Sequence, residues 1–262
     1  MLTHDLRSLY RRHAYRYPGL YAVQQRLQVR VRGATRRVHE LDFWALALLD
    51  LPSDPLCLDV GANRGQSVVS IKRVLPHARV VSFEPNREMF ADLERTTRHL
   101  SGVTALPHGL ADHDGAVVLM VPRSKGIEFP QLASLNRSAA DAAELLQGFG
   151  FTFATVETLS FREVRIEVRT LDSLDLAPHV VKIDVEGAEG RVLAGGWDTL
   201  ARTRPVLLLE RGPDDGLEGR LEPLGYLAAR FLGGQLEHGP KIDGRTATLF
   251  VQPDHLQGVP ST

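Results

Sequence analysis

The sequence predicts an α/β protein: a mostly parallel sheet with helices on both faces, preceded by a helical extension. Three observations carry this. Short apolar runs alternate with segments of helical period from residue 56 onward. The first run ends in a glycine-rich turn, Gly61-Ala62-Asn63-Arg64-Gly65. A later run, Val180-Val181-Lys182-Ile183-Asp184, opens directly into more carboxylates and a glycine. Alternation of strand and helix builds parallel sheets because each crossover helix buries its apolar stripe on a sheet face.

In chain order, residues 2–38 are rich in arginine with interleaved tyrosine: Arg7, Tyr10, Arg11, Arg12, Tyr15, Arg16 and Tyr17, then Arg26, Arg30, Arg32, Arg36 and Arg37. They read as one or two helices broken at Pro18-Gly19. The bland reading is a helical cap with solvated arginines. The sharper one is peripheral contact with a membrane surface. A second helix is expected over 40–50, ended by Pro52. Strands follow at 56–60 and 79–84, with a helix at 66–75 between them stopped by Pro76. A helix at 88–100 and a strand at 103–106 continue the alternation. Residues 116–121 read as a strand and 122–160 as an irregular insertion, with a helix over 139–147. Strands at 164–168, 180–184 and 206–210 follow, with a helix around 188–194. A helix at 217–224 and strands at 226–231 and 246–251 complete the pattern. The chain thus divides into an extension (1–52), a main domain (53–252) and a frayed tail (253–262).

Composition narrows the class. The chain has 262 residues, 43% of them hydrophobic and 24% charged, which suits one large globular domain. A formal net charge of -1 gives no basic excess for nucleic acid. The single cysteine, Cys57, sits in an apolar run and reads as a buried structural thiol. No stretch reaches the roughly 18 apolar residues of a membrane span. Met1-Leu2-Thr3-His4-Asp5 has no apolar core like that of a signal peptide, so a cytoplasmic location is expected.

The loop Asp59-Val60-Gly61-Ala62-Asn63-Arg64-Gly65 suits a nucleotide-like cofactor, because glycines turn the backbone and admit a ligand closely. A dinucleotide fingerprint has a glycine where Asn63 stands, and Arg64 would crowd a diphosphate. S-adenosylmethionine carries no phosphate, and its cationic side would accept negative charge from Asp59. Glu84, ending the second strand, is placed to accept hydrogen bonds from ribose hydroxyls. Asp112, in Gly109-Leu110-Ala111-Asp112, either accepts from an adenine amino group or begins the turn 112–115. Gly61, Asn63 and Gly65 complete the expected cofactor contacts.

Residues 182–189, Lys182-Ile183-Asp184-Val185-Glu186-Gly187-Ala188-Glu189, run from a buried strand into three carboxylates on the edge where open α/β sheets bind ligands. Clustered charge there is costly unless paired or used. Asp184 and Glu186 are the expected catalytic residues, and Glu189 the helix cap. Asp184 with Glu210 at the next strand end could hold Mg2+ through oxygen ligands, or the acids could simply pair with Lys182 or Arg211. His108 and His113 are alternative bases. With no histidine in either acidic motif, zinc is not expected.

These motifs, with Phe83-Glu84-Pro85, Gly115, Thr170-Leu171-Asp172-Ser173-Leu174 and the strand at 205–210, resemble the FkbM family of methyltransferases over residues 55–212. The resemblance implies a class I methyltransferase Rossmann-like sheet. It also implies S-adenosylmethionine-dependent O-methylation of a hydroxyl on a sugar, glycolipid or polyketide-type metabolite. The extension and the 122–160 insertion lie outside it, and acceptor choice is expected there. The competing readings are an NAD-dependent oxidoreductase, which shares the sheet and the ribose carboxylate, and a non-catalytic module binding anionic lipid.

Overall fold

The computed structural model describes residues 38–124, 127–129, 133–135, 159–209, 216–238 and 248–257. The Arg-rich segment before residue 38, the helix expected over 139–147 and Glu210 lie outside the described residues.

Strands β1 (Leu56–Val60), β2 (Arg79–Phe83), β3 (Val103–Leu106), β8 (Val180–Ile183) and β9 (Val206–Leu209) run parallel. In space the order is β11-β10-β12-β9-β8-β1-β2-β3. The last strand, β12 (Leu249–Val251), inserts antiparallel between β9 and β10 (Leu227–Leu232), and β11 (Gln235–His238) closes that edge as a hairpin. Chain order reverses between β1 and β8, so a ligand crevice is expected above those two strands' C-terminal ends.

Period-two side chains feed two cores. Cys57, Val80 and Val180 pack on one face with Val68 and Ile71 of α1 (Gln66–Val74) and Leu93 of α2 (Arg87–Thr97). Leu58, Val60, Val181 and Ile183 pack on the other with Val192 and Leu193 of α3 (Glu189–Ala194). Leu200 of α4 (Trp197–Thr203) and Leu221 of α5 (Leu217–Leu221) join that second core. Helices therefore cover both faces, as the alternation predicts.

A second sheet, in the order β4-β7-β5-β6, stands beside the first. Its spine is the antiparallel pair β5 (Gly115–Ser124) and β7 (Ser160–Arg169). β4 (Gly109–Leu110) and β6 (Ile127–Glu128) flank it. The insertion is thus rooted on a long hairpin and begins later than residue 122. The expected strands were too short because alternation stops at Val164, while a polar ladder continues the pairing. There Arg162 donates twice to Glu128, at 2.7 Å each.

Two further expectations are corrected. The helix expected over 40–50 is present but shorter, a 3₁₀ helix over Leu41–Ala47. Its buried Phe43 and Leu46, with Leu49 beyond, recur every three residues, the period of the tighter helix. The tail is not frayed from residue 253: Pro253–Leu256 forms a 3₁₀ turn with a Gln252/His255 capping box. The His255 carbonyl accepts from the Asp50 amide at 2.9 Å, docking the turn on the segment before β1. No helix among the described residues is long and apolar enough to cross a membrane.

Candidate active site

Two loops meet at the β1–β8 junction. The first leaves β1 through Gly61, Asn63 and Gly65, whose φ values of 81°, 50° and 90° are all left-handed. The Gly61 and Ala62 amides both donate to the Phe83 carbonyl at 3.0 Å, which pins the loop to β2. A Cβ on Gly61 would lie 1.8 Å from the Asp184 carbonyl oxygen. The glycine is therefore required by the close passage of the second loop, which leaves β8 at Asp184.

Glu84 follows β2 and is buried. Its Oε2 accepts from the Asn63 amide at 2.8 Å and its Oε1 from the Asn86 amide at 2.9 Å. Burial outweighs these bonds and pushes its carboxyl up to about 7. Each oxygen of a carboxylate has two acceptor sites, so each retains one after its backbone donor.

Asp59 is fully buried on β1 and does not open to a ligand as expected. Its Oδ2 accepts from the Ser67 hydroxyl at 2.6 Å, and its Oδ1 lies 3.4 Å from the Lys182 ammonium. Burial raises its carboxyl; Lys182 and then Ser67 oppose that. Asp59 and Lys182 are direct partners in the β1–β8 register. Lys182 also donates to the Gly61 carbonyl at 3.2 Å and to Asp184 Oδ2 at 2.9 Å. Burial opposes its charge, but Asp184 and Asp59 hold the ammonium above its ordinary value.

The carboxylates after β8 separate by role. Asp184 keeps 30% of its side chain exposed. Glu186 is partly buried, at a left-handed φ of 55°. Glu189 is buried, and its Oε1 accepts from the Val185 and Gly187 amides at 3.1 and 3.2 Å. Glu189 is therefore structural but not the helix cap expected: the cap position is Ala188, with no side-chain cap bond, and Glu189 fastens the preceding loop to the start of α3. The Glu186 carbonyl accepts from the Ser134 hydroxyl at 2.7 Å, and Ser134 bridges to Met120 of β5. The insertion's root thus touches the acidic loop, a contact with no local sequence signal.

Other residues singled out in the sequence have protein partners of their own. Asp112 Oδ1 takes Arg191 Nε and Nη2 of α3 at 3.1 and 2.9 Å, and His113 at 2.8 Å. Arg191, then His113, hold its carboxyl down at about 2. Arg64 does not crowd the loop: its guanidinium is buried against Asp92 of α2. Asp172 caps α4, accepting from the Asp198 and Thr199 amides at 3.3 and 2.8 Å. His108 is half-buried, edge-on to Phe83 with ring centres 5.5 Å apart, and burial lowers its imidazole. Among the described residues no group of three His, Cys, Asp or Glu could hold a metal.

A reversing parallel sheet with an antiparallel last strand, a glycine loop after β1 and a buried carboxylate after β2 make up a class I methyltransferase fold. The methyltransferase FkbM domain matches residues 59–228, more than half of the chain. Methyltransferase sdnD of Sordaria araneosa is 32% identical over 200 residues, 68% of this chain and 74% of that protein. The 2-O-methyltransferase NoeI of Sinorhizobium fredii is 28% identical over 207 residues, 77% of this chain and 82% of that one. The crystal structure of methyltransferase FkbM from Methylobacillus flagellatus matches with a TM-score of 0.51 at 19% identity. It covers 80% of this chain and 48% of its own, so the present chain spans about half its length. The chain belongs to the FkbM family of methyltransferases. Membership implies S-adenosylmethionine as donor, and the residues fit it. Glu84 has spare acceptor capacity on both oxygens, and the loop turns left-handed at Gly61 and Gly65 with no side chain at either.

Proposed function

We propose that the protein transfers a methyl group from S-adenosylmethionine to a hydroxyl of a sugar, glycolipid or polyketide-type metabolite. The observation that carries this reading is the partly exposed Asp184 carboxylate on the ligand edge, in backbone contact with the glycine loop. Bound S-adenosylmethionine supplies an electrophilic methyl carbon. Glu84 accepts from its ribose hydroxyls, and the loop at Gly61, Asn63 and Gly65 admits it closely. Asp184 takes the proton of the acceptor hydroxyl, which is a poor nucleophile while protonated. Glu186 flanks the acceptor, and Asp112 keeps an adenine-side role through Oδ2. The relative NoeI, a 2-O-methyltransferase by name, supports oxygen as the acceptor atom. Family membership leaves no basis for the oxidoreductase and non-catalytic readings.

Calorimetric titration tests the donor: S-adenosylhomocysteine binds and NAD does not. Tight NAD binding without a response to S-adenosylhomocysteine overturns the reading. With an acceptor in hand, Asp184→Asn keeps donor affinity and loses turnover by about 10²-fold or more. Full turnover would remove Asp184 from catalysis.

A membrane-surface acceptor is favoured by one observation. Leu41 and Trp44 of the 3₁₀ helix and Leu48 at its C-cap are exposed, shortly after the Arg-rich segment. Co-sedimentation with anionic but not neutral vesicles is expected; equal sedimentation with both removes this part of the reading.

A further inference from the structure

We propose that Lys182 is a positioning residue whose ammonium holds the donor loop and the acceptor-side carboxylate in one register. The inference rests on the methyl-transfer reading above. Lys182 is a lone charge in the apolar run Val180–Ile183, and its side chain is only 10% exposed. Three oxygens surround its nitrogen: Asp184 Oδ2 at 2.9 Å, the Gly61 carbonyl at 3.2 Å and Asp59 Oδ1 at 3.4 Å. One belongs to the residue assigned to the acceptor proton, one to the donor loop and one to the neighbouring strand. The acidic groups whose fields reach this nitrogen are Asp59 on β1, Asp184 on its own strand's end, Glu84 after β2, and Glu40 before the 3₁₀ helix.

A lysine in this place does two things that an apolar residue of equal length cannot. It holds Asp184 Oδ2 at 2.9 Å, which restricts the orientation of a carboxylate that keeps 30% of its side chain exposed. It also cancels the repulsion between Asp59 and Asp184, two acids that Gly61 brings close through backbone contact. Without the ammonium, one of the pair must take a proton or the loops must separate, because like carboxylates in one site do not both ionise at ordinary cost.

The test uses the full-length protein with S-adenosylhomocysteine as probe. For Lys182→Met, the dissociation constant relative to wild type is expected to rise about tenfold near pH 8 and only about twofold near pH 5.5, where one acid is protonated. Lys182 also lowers the Glu84 carboxyl, so the same ratio is measured in a Glu84→Gln background, where that titration is absent, and the pH dependence should persist there. Adding Asp184→Asn to Lys182→Met removes one of the two acids and should bring the pH 8 ratio to within about threefold of unity. A purely structural lysine predicts a ratio that does not change with pH and no rescue, and that result overturns the proposal. If Lys182→Met does not fold, a cooperative thermal transition regained on adding Asp184→Asn supports the same coupling; failure of both overturns it. Wild-type protein that ignores the probe refutes the donor reading instead, and the thermal midpoints of the same variants then decide the coupling alone.

Discussion

Gly61→Ala separates two costs that glycine avoids. Gly61 sits at φ 81°, and a Cβ there meets the Asp184 carbonyl oxygen at 1.8 Å and its carbon at 2.9 Å. Gly187, in the second loop, has a similar φ of 94° but nothing within 4 Å of its would-be Cβ. Left-handed backbone costs an alanine about 1–2 kcal/mol at either site. At Gly61 the obstructing atoms are backbone, tied to β1 by the Asp184 amide's 3.0 Å bond to the Val60 carbonyl, so no side-chain rotation relieves the clash. Overpacking of this kind adds about 1–3 kcal/mol. For a chain of this size each kcal/mol lowers the melting temperature by roughly 2–4 °C. Gly187→Ala should therefore melt roughly 2–8 °C below wild type, and Gly61→Ala a further 2–12 °C lower. Circular dichroism melts of both variants, with calorimetric S-adenosylhomocysteine affinity alongside, give the readout. Equal shifts, or unchanged donor affinity in Gly61→Ala, would refute the argument that the two loops are fitted to each other at this point.

Other predictions follow from individual contacts. Folding raises the Glu84 carboxyl to about 7, so the apo fold binds a proton there that the unfolded chain has released, and this site's contribution to stability falls as pH rises from about 4.5 to 7. Donor binding has the opposite sign: S-adenosylhomocysteine affinity should rise as pH is raised through about 7, where Glu84 becomes a full acceptor, and a flat profile would remove it from the ribose role. Asp92→Ala removes the buried carboxylate that the Arg64 guanidinium meets, a loss of about 3–5 kcal/mol by denaturant unfolding; Arg64→Met/Asp92→Leu should lose less, and the reverse ranking would contradict the burial. Cys57 is fully buried with its thiol pushed up to about 12 by that burial, so a thiol reagent should modify it only after unfolding, and rapid labelling of native protein would show otherwise.

The sheet was legible because its signals are local. Each parallel strand announces itself as an apolar run, and each crossover helix by its period and its stop. Glycines 61 and 65 declare the turn. What could not be read depended on partners distant in sequence. Asp59 appears in the chain as an exposed strand-end acid; only the register opposite Lys182 shows that it is buried and paired. Arg64 looks like an obstruction until α2 supplies Asp92. Asp112 is drawn to Arg191 of α3, 79 residues later. Some signals were present and passed over. Lys182 and Asp59 are single, opposite charges in two otherwise apolar strands, a pairing that the parallel topology already makes adjacent. Gly233-Gly234, both at positive φ, announce the two-residue hairpin between β10 and β11. The acidic run 184–189 shows why counting carboxylates is not enough. Glu189 satisfies backbone amides, whereas Asp184 retains exposure, and only geometry separates the two.

That separation also bears on Mg2+. Oxygen-ligated divalent ions need several carboxylate, carbonyl or water oxygens around one point. Asp184 is the one expected metal ligand within the described residues, and its Oδ2 is held 2.9 Å from the Lys182 ammonium. A divalent cation on the same carboxylate would stand a few ångströms from that ammonium, and a divalent and a monovalent cation at about 4 Å repel by roughly 8 kcal/mol at the effective dielectric of a protein surface. Among the described residues the donor set therefore does not fit a resident ion while Lys182 is in place. Titration of Mg2+ into the protein, with and without S-adenosylhomocysteine, should show no saturable heat in the micromolar range. The same titration into Lys182→Met, where the carboxylates have lost their counter-charge, should reveal weak binding if the ammonium is what excludes the ion. Saturable Mg2+ binding to wild type that Asp184→Asn abolishes would reverse the assignment, making Asp184 a ligand and leaving the acceptor proton to Glu186.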